Sequence, residues 1–111
     1  VAGTIAPKTT TQLLYNVSKS TLRMMAKTLA AEWASHGVLV NVISPAPVKS
    51  EMIEVYYSMF PAKKEFFEGM TMLRRMSEAI EVADVVVFYL SPKASYVTGS
   101  EIMVDGGWTS W

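Results

Sequence analysis

Apolar residues recur along the chain with different periods, and each period predicts a different element. Val17, Leu22, Met25, Leu29, Ala30 and Trp33 follow a three- to four-residue step, which predicts a helix from about Asn16 to Ser35 with Trp33 as a packing residue. Gly37 is placed to stop it as a left-handed C′ residue, and His36, read as a capping or surface histidine, sits where its charge suits the helix dipole. Val38 to Ile43 is a nearly continuous apolar run rich in β-branched residues, the pattern of a strand buried on both faces of a parallel sheet. It runs into Ser44-Pro45-Ala46-Pro47, where two prolines fix φ and remove two backbone donors. A rigid turn at the carboxyl end of a parallel strand is where open α/β sheets bind ligands.

The remaining segments read as follows. Val1 to Leu14, with Gly3, Pro7 and Thr9-Thr10-Thr11-Gln12, has no apolar period and predicts a loop. Lys49 to Gly69 is apolar but irregular, and Pro61 divides it into two short helices. Its aromatic and Met residues fit either ordinary core or a mobile lid over a ligand turn. Ser77 or Glu78 caps a further helix that carries Glu81 in its first turn and runs to about Leu90. That helix is apolar nearly all round, which predicts burial or an interface. Ser91-Pro92 ends it; Glu101 to Asp105 forms a last strand, closed by Gly106-Gly107.

Composition narrows the chemistry. The chain has 111 residues, half of them hydrophobic, enough for a packed core of one small domain. Ten basic residues balance ten acidic ones with no basic run, which gives no support to a nucleic-acid or anionic-membrane partner. No cysteine and a single histidine leave neither a disulfide framework nor a thiolate or multi-histidine metal site, so no metal is expected. No apolar run approaches the roughly 20 residues of a membrane span, and no signal-peptide layout opens the chain, so the expected location is cytoplasmic.

The candidate chemistry sits in Tyr15-Asn16-Val17-Ser18-Lys19. A four-residue spacing puts a phenol and an ammonium on one helical face, with Cβ atoms about 5–6 Å apart. A neighbouring cation favours the phenolate, which equips a tyrosine to exchange a proton with a carbinol or carbonyl oxygen near neutral pH. Tyr-x-x-x-Lys alone is common on helices, so the rest of the chain decides its meaning.

Three further motifs follow in order: Val40-Asn41-Val42-Ile43-Ser44-Pro45-Ala46-Pro47-Val48-Lys49-Ser50, Tyr96-Val97-Thr98-Gly99 and Val104-Asp105-Gly106-Gly107. With these four stretches over nearly its whole length, the chain resembles the carboxyl-terminal half of a short-chain dehydrogenase/reductase, closest to fungal-type polyol dehydrogenases and ketose reductases. The resemblance implies an α/β fold, the carboxyl-terminal portion of a Rossmann-like doubly wound parallel sheet. It implies NAD(P)-dependent interconversion of a secondary alcohol and a ketone, on a sugar, polyol or similar small carbonyl compound. Tyr15 is then the general acid/base and Lys19 its partner, which also bonds the nicotinamide ribose. Pro45, Ala46, Val48 and Ser50 line the NADP or NAD site, with the Val48 backbone toward the carboxamide and the Ser50 hydroxyl near carboxamide or phosphate. Met52, Tyr56, Tyr57 and Phe60 become candidates for a substrate lid, and Trp111 for contact with a neighbouring subunit of a homotetramer.

The sequence also departs from the family. Ala46 stands where the family places a glycine, which narrows the room for backbone approach. The glycine-rich pyrophosphate loop, the residue that chooses between NAD and NADP, and the catalytic serine and asparagine belong to the amino-terminal half of such proteins, and none is matched here. On that alignment Ala2-Gly3 follow the serine directly. Residues 1–111 are therefore expected to be the carboxyl-terminal segment of a single NAD(P)-binding domain, poorly active alone and dependent on the missing half. The alternative is a non-catalytic remnant that acts as an oligomerisation module through its long helix and its last helix and strand.

Overall fold

A computed structural model describes residues 1–5 and 12–110. The expected turn at Pro7, the Thr9-Thr10-Thr11 run and Trp111 lie outside the described residues. Element order is helix α1 (Leu13–Trp33), strand β1 (Val42–Pro45), helices α2 (Glu51–Met59), α3 (Pro61–Gly69) and α4 (Ala79–Leu90), and strand β2 (Glu101–Val104). Short 3-10 turns cover Ala34–His36, Pro92–Ala94 and Trp108–Ser110.

Strands β1 and β2 pair in parallel, Val42 opposite Glu101 and Pro45 opposite Val104, so α2, α3 and α4 all lie in the crossover between them. That is the βαβ arrangement expected of parallel neighbours, which cannot be joined by a tight turn. The expected strand at Val38–Ile43 is displaced toward the carboxyl end. The chain enters it through side chains: Val40 N–H donates to Thr98 Oγ1, Asn41 Nδ2 donates to the Val97 carbonyl, and Ser100 N–H donates to Asn41 Oδ1. Regular pairing starts only at Val42, whose N–H donates to the Ser100 carbonyl. Burial on both faces is also corrected: of β1 only Ser44 is buried, and the other three residues are half-buried.

Helix α1 starts three residues earlier than its apolar period suggests, so Leu13 and Leu14 are helical, not loop. Its end is as read: Gly37 adopts φ +74° and the Val38 N–H returns to the Trp33 carbonyl, a left-handed cap that β-carbons disfavour. Trp33 itself is exposed, which corrects its reading as a packing residue. The proline division of the middle segment is as expected, with Phe60 between α2 and α3 and Pro61 at the first position of α3. Helix α4 begins at Glu78, whose N–H donates to Glu81 Oε2 at 2.8 Å, a reciprocal cap that satisfies an orphan donor.

The core is thin. Ala26 and Ala30 on α1 and Ala94 after α4 are buried, and a second patch gathers Tyr57, Met76 and Trp108. The ring of Phe67 lies 6.1 Å from both Tyr57 and Trp108, joining α2, α3 and the carboxyl-terminal turn. No residue of α4 is buried, and Leu90 is 82% exposed, so of the two expectations for this helix, burial or an interface, burial within this chain does not hold. Leu14, Met24, Ile80 and Val87 are also uncovered. Among the described residues no helix is long and apolar enough to cross a membrane.

Candidate active site

Tyr15 and Lys19 lie one turn apart in the first half of α1. Lys19 Nζ is 5.3 Å from the centroid of the Tyr15 ring, so the ammonium stands over the ring at cation–π distance. Tyr15 is 52% exposed and lines a cleft of about 250 Å³ together with Lys19, Arg23, Ser44, Pro45 and Ala2. All four residues of β1, Val42 to Pro45, line the same cleft, so Tyr15 and Lys19 lie along the strand whose carboxyl end is where parallel sheets receive ligands.

The structure distributes the other expected site residues. Pro45 shares the Tyr15 cleft. Ala46, just past the end of β1, lines a second cleft of about 250 Å³ with Thr71, Arg75, Asp105 and Gly106. Val48 forms an isolated parallel bridge with Ser77, made by the Lys49 N–H to the Ser77 carbonyl at 2.9 Å and the Ser77 N–H to the Pro47 carbonyl at 3.2 Å. In that pattern the flanking residues make the bonds, and the Val48 N–H and C=O point away from Ser77. Ser50 caps α2: its Oγ accepts from the Ile53 N–H at 3.3 Å, which leaves the hydroxyl proton available to donate. Neither Val48 nor Ser50 lines the Tyr15 cleft; both follow it along the chain at the mouth of the sheet.

The four lid candidates separate as well. Met52 is 76% exposed, Phe60 and Tyr56 are exposed and stack with ring centroids 5.1 Å apart, and Tyr57 is only 5% exposed. Burial and the neighbouring charges hold the Tyr57 phenol above its usual range. Tyr57 is thus a member of the aromatic core, and the open face of α2 belongs to Met52 and Tyr56.

Sequence reasoning missed a polar cluster on the far side of the Tyr15 cleft. Arg23 Nε and Nη2 both donate to Glu101 Oε2, at 2.6 and 2.5 Å. Ser44 Oγ and Thr4 Oγ1 donate to Glu101 Oε1 at 2.8 and 3.1 Å. Burial alone raises the Glu101 carboxyl, but the bonds from Ser44, Arg23 and Thr4 outweigh it and hold it below the usual range. The available signal was a charged residue inside the apolar run Glu101-Ile102-Met103-Val104, which a partly buried strand tolerates only with partners.

Two more charge networks hold the frame. Arg75 grips Glu81 with two bonds of 2.7 Å, and this guanidinium with the Glu78 N–H brings the Glu81 carboxyl down to about 2. Asp105 accepts from the Gly107 and Thr109 N–H groups, both at 2.9 Å, and from Thr109 Oγ1 at 2.7 Å. Burial opposes its charge, and these bonds prevail to lower its carboxyl, so Asp105 fixes the terminal turn beside the second cleft. Lys49, exposed, is bonded to Glu78, which raises its ammonium.

Comparison with known proteins gives this geometry a context. A protein-family model described as enoyl-(acyl carrier protein) reductase matches residues 2–109. A galactitol 2-dehydrogenase (L-tagatose-forming) of Cereibacter sphaeroides is 39% identical over all of this chain and 43% of its own length. A solved short chain dehydrogenase family protein from Francisella tularensis superposes with a TM-score of 0.84 at 30% identity, over 96% of this chain and 47% of that one. A 4-hydroxyisoleucine dehydrogenase complexed with NADH superposes with a TM-score of 0.90 at 27% identity, over 99% of this chain and 44% of that one. The chain thus spans less than half the length of the proteins it matches, and within that span it has their Rossmann-type parallel α/β fold.

Proposed function

This chain belongs to the short-chain dehydrogenase/reductase family of oxidoreductases, and from that premise we propose that it supplies the acid/base half of an NAD(P)-dependent alcohol–ketone interconversion. The single observation that carries the reading is the shared cleft: Tyr15, Lys19 and strand β1 line the same space. In the reductive direction the Tyr15 hydroxyl donates its proton to the carbonyl oxygen, and in the oxidative direction it takes that proton back. Lys19 stands over the ring, one turn along α1, where its ammonium faces the same exchange.

The residues present fit a nicotinamide dinucleotide. The Val48 N–H and C=O turned away from Ser77 offer one donor and one acceptor to a carboxamide, and the Ser50 hydroxyl proton and α2 amino end suit an amide oxygen or phosphate. Pro45 and Ala46 hold the turn from which these groups project. When bound, such a cofactor supplies the hydride chemistry, while the protein supplies position and electrostatics. The relative named as a galactitol 2-dehydrogenase favours a polyol or ketose as the substrate, with Met52, Tyr56 and Phe60 above it and Tyr57 supporting them from the core. Residues 1–111 act as the carboxyl-terminal segment of one dinucleotide-binding domain, in a cytoplasmic homotetramer.

Turnover of a ketose and polyol panel with NADPH and NADH tests this. Tyr15→Phe should lower kcat by about a hundredfold or more with dinucleotide affinity kept; full activity in Tyr15→Phe removes the mechanism.

The exposed apolar residues of α1 and α4 favour a second reading, an oligomerisation module without turnover. Co-elution with a full-length relative on size exclusion, without dinucleotide binding, selects it over the enzyme.

A further inference from the structure

We infer that Glu101 is a positioning residue for the Tyr15 cleft, its carboxylate with Arg23 fixing residues 2–5 and strand β1 against the face of α1 that carries Lys19. The inference deepens the oxidoreductase reading and rests on it for its catalytic consequence. Four separate stretches of chain meet at this one carboxylate. Thr4 comes from the amino-terminal segment, Arg23 from α1, Ser44 from β1, and Glu101 itself from β2. Its side chain is only 12% exposed, so the four bonds compete little with water.

Arg23 extends the grip. While Nε and Nη2 hold Glu101, Nη1 donates to the Gly3 carbonyl at 2.5 Å, and Ser20 Oγ donates to the same oxygen at 2.9 Å. Gly3 is thereby pressed onto α1 beside Lys19. A β-carbon at Gly3 would stand 2.6 Å from the Ser20 nitrogen and 2.9 Å from the Lys19 carbonyl carbon, and φ there is +86°. Only glycine allows that approach. Arg23 and Ser44 also line the cleft with Tyr15, so two of the groups that Glu101 orients are walls of the site. Glu101 touches neither Tyr15 nor Lys19 in this arrangement; its effect passes through the backbone it fixes.

Glu101→Gln is the test, because it keeps shape and removes charge. A glutamine has one acceptor oxygen in place of two, so its NH₂ must face donors that now have no acceptor. In the purified protein, hydrogen exchange at the Thr4 amide should become roughly tenfold faster in Glu101→Gln, with the Ala46 amide on the far side of β1 unchanged. On the most active member of the substrate panel, kcat should fall by about tenfold with KM within about twofold, and Glu101→Asp should recover part of the loss. An Ala46 amide that accelerates as much as Thr4, or an unchanged pattern with unchanged kcat, overturns the inference. Where Glu101→Gln does not fold, Thr4→Ala, which removes one bond from Oε1, must show the same local acceleration on a smaller scale; no change there overturns it too. Exchange is read without turnover, so a wild-type protein inactive on every substrate ends the oxidoreductase reading while the exchange arm still decides the clasp.

Discussion

Lys19 carries its ammonium 5.3 Å from the centre of the Tyr15 ring, one turn along the same helix. In the proposed mechanism Lys19 would act through its charge as well as by donating a hydrogen bond to a ligand. Lys19→Met should therefore lower kcat by about a hundredfold and weaken dinucleotide binding, while Lys19→Arg keeps the charge and loses less. Steady-state kinetics with a fluorescence titration of NADPH and NADH separates the two effects.

Acid should weaken the fold through carboxylates. The Glu81 carboxyl, held by Arg75 and the Glu78 N–H, is brought down to about 2 in the folded chain from an ordinary value of about 4.5. A depressed folded value means stabilisation that is complete above about 4.5 and lost as pH falls toward about 2. Glu101 and Asp105 are lowered too and act in the same direction. Thermal melts between pH 6 and 2 should fall steeply below about 4.5 for the wild type, and less steeply for Glu81→Gln, which starts lower.

Arg74 is the one non-glycine residue with positive φ among the described residues, at +54°. A β-carbon in the left-handed region costs about 1 kcal/mol, more than the glycine entropy it avoids. Arg74→Gly should relieve that strain and so offset part of what losing the side chain, with its bond from Nη1 to the Gly69 carbonyl, costs. Arg74→Ala keeps the strain and should be the less stable of the two. Urea denaturation of the two variants tells them apart.

The α2 residues should divide by burial. Tyr57→Ala empties a site among Tyr56, Phe67 and its neighbours and should cost about 3 kcal/mol of stability. Met52→Ala, at an exposed position, should leave stability within about 0.5 kcal/mol and change KM across the ketose panel. Equal stability losses in the two variants contradict the assignment of α2 to core on one face and substrate on the other.

Periodicity and turn chemistry by themselves determined the body and end of α1, the proline break between α2 and α3, the start of α4 at Ser77 or Glu78 and the closing strand, because each depends on residues close in sequence. The Tyr15–Lys19 pair was equally legible, since a four-residue spacing fixes a shared helical face. Tertiary contacts alone decided the rest. The first strand begins at Val42 because Asn41 and Thr98, 57 positions apart, take the hydrogen bonds before it. Tyr57 and Tyr56 are adjacent and chemically alike, yet only Phe67 and Trp108 determine which of them is buried. Glu101 read as a strand terminus, and it became the junction of four segments only once the parallel register set Val42 beside it and brought Ser44 and Arg23 within bonding distance. A carboxylate's partners are chosen by distance in space, which no local pattern encodes.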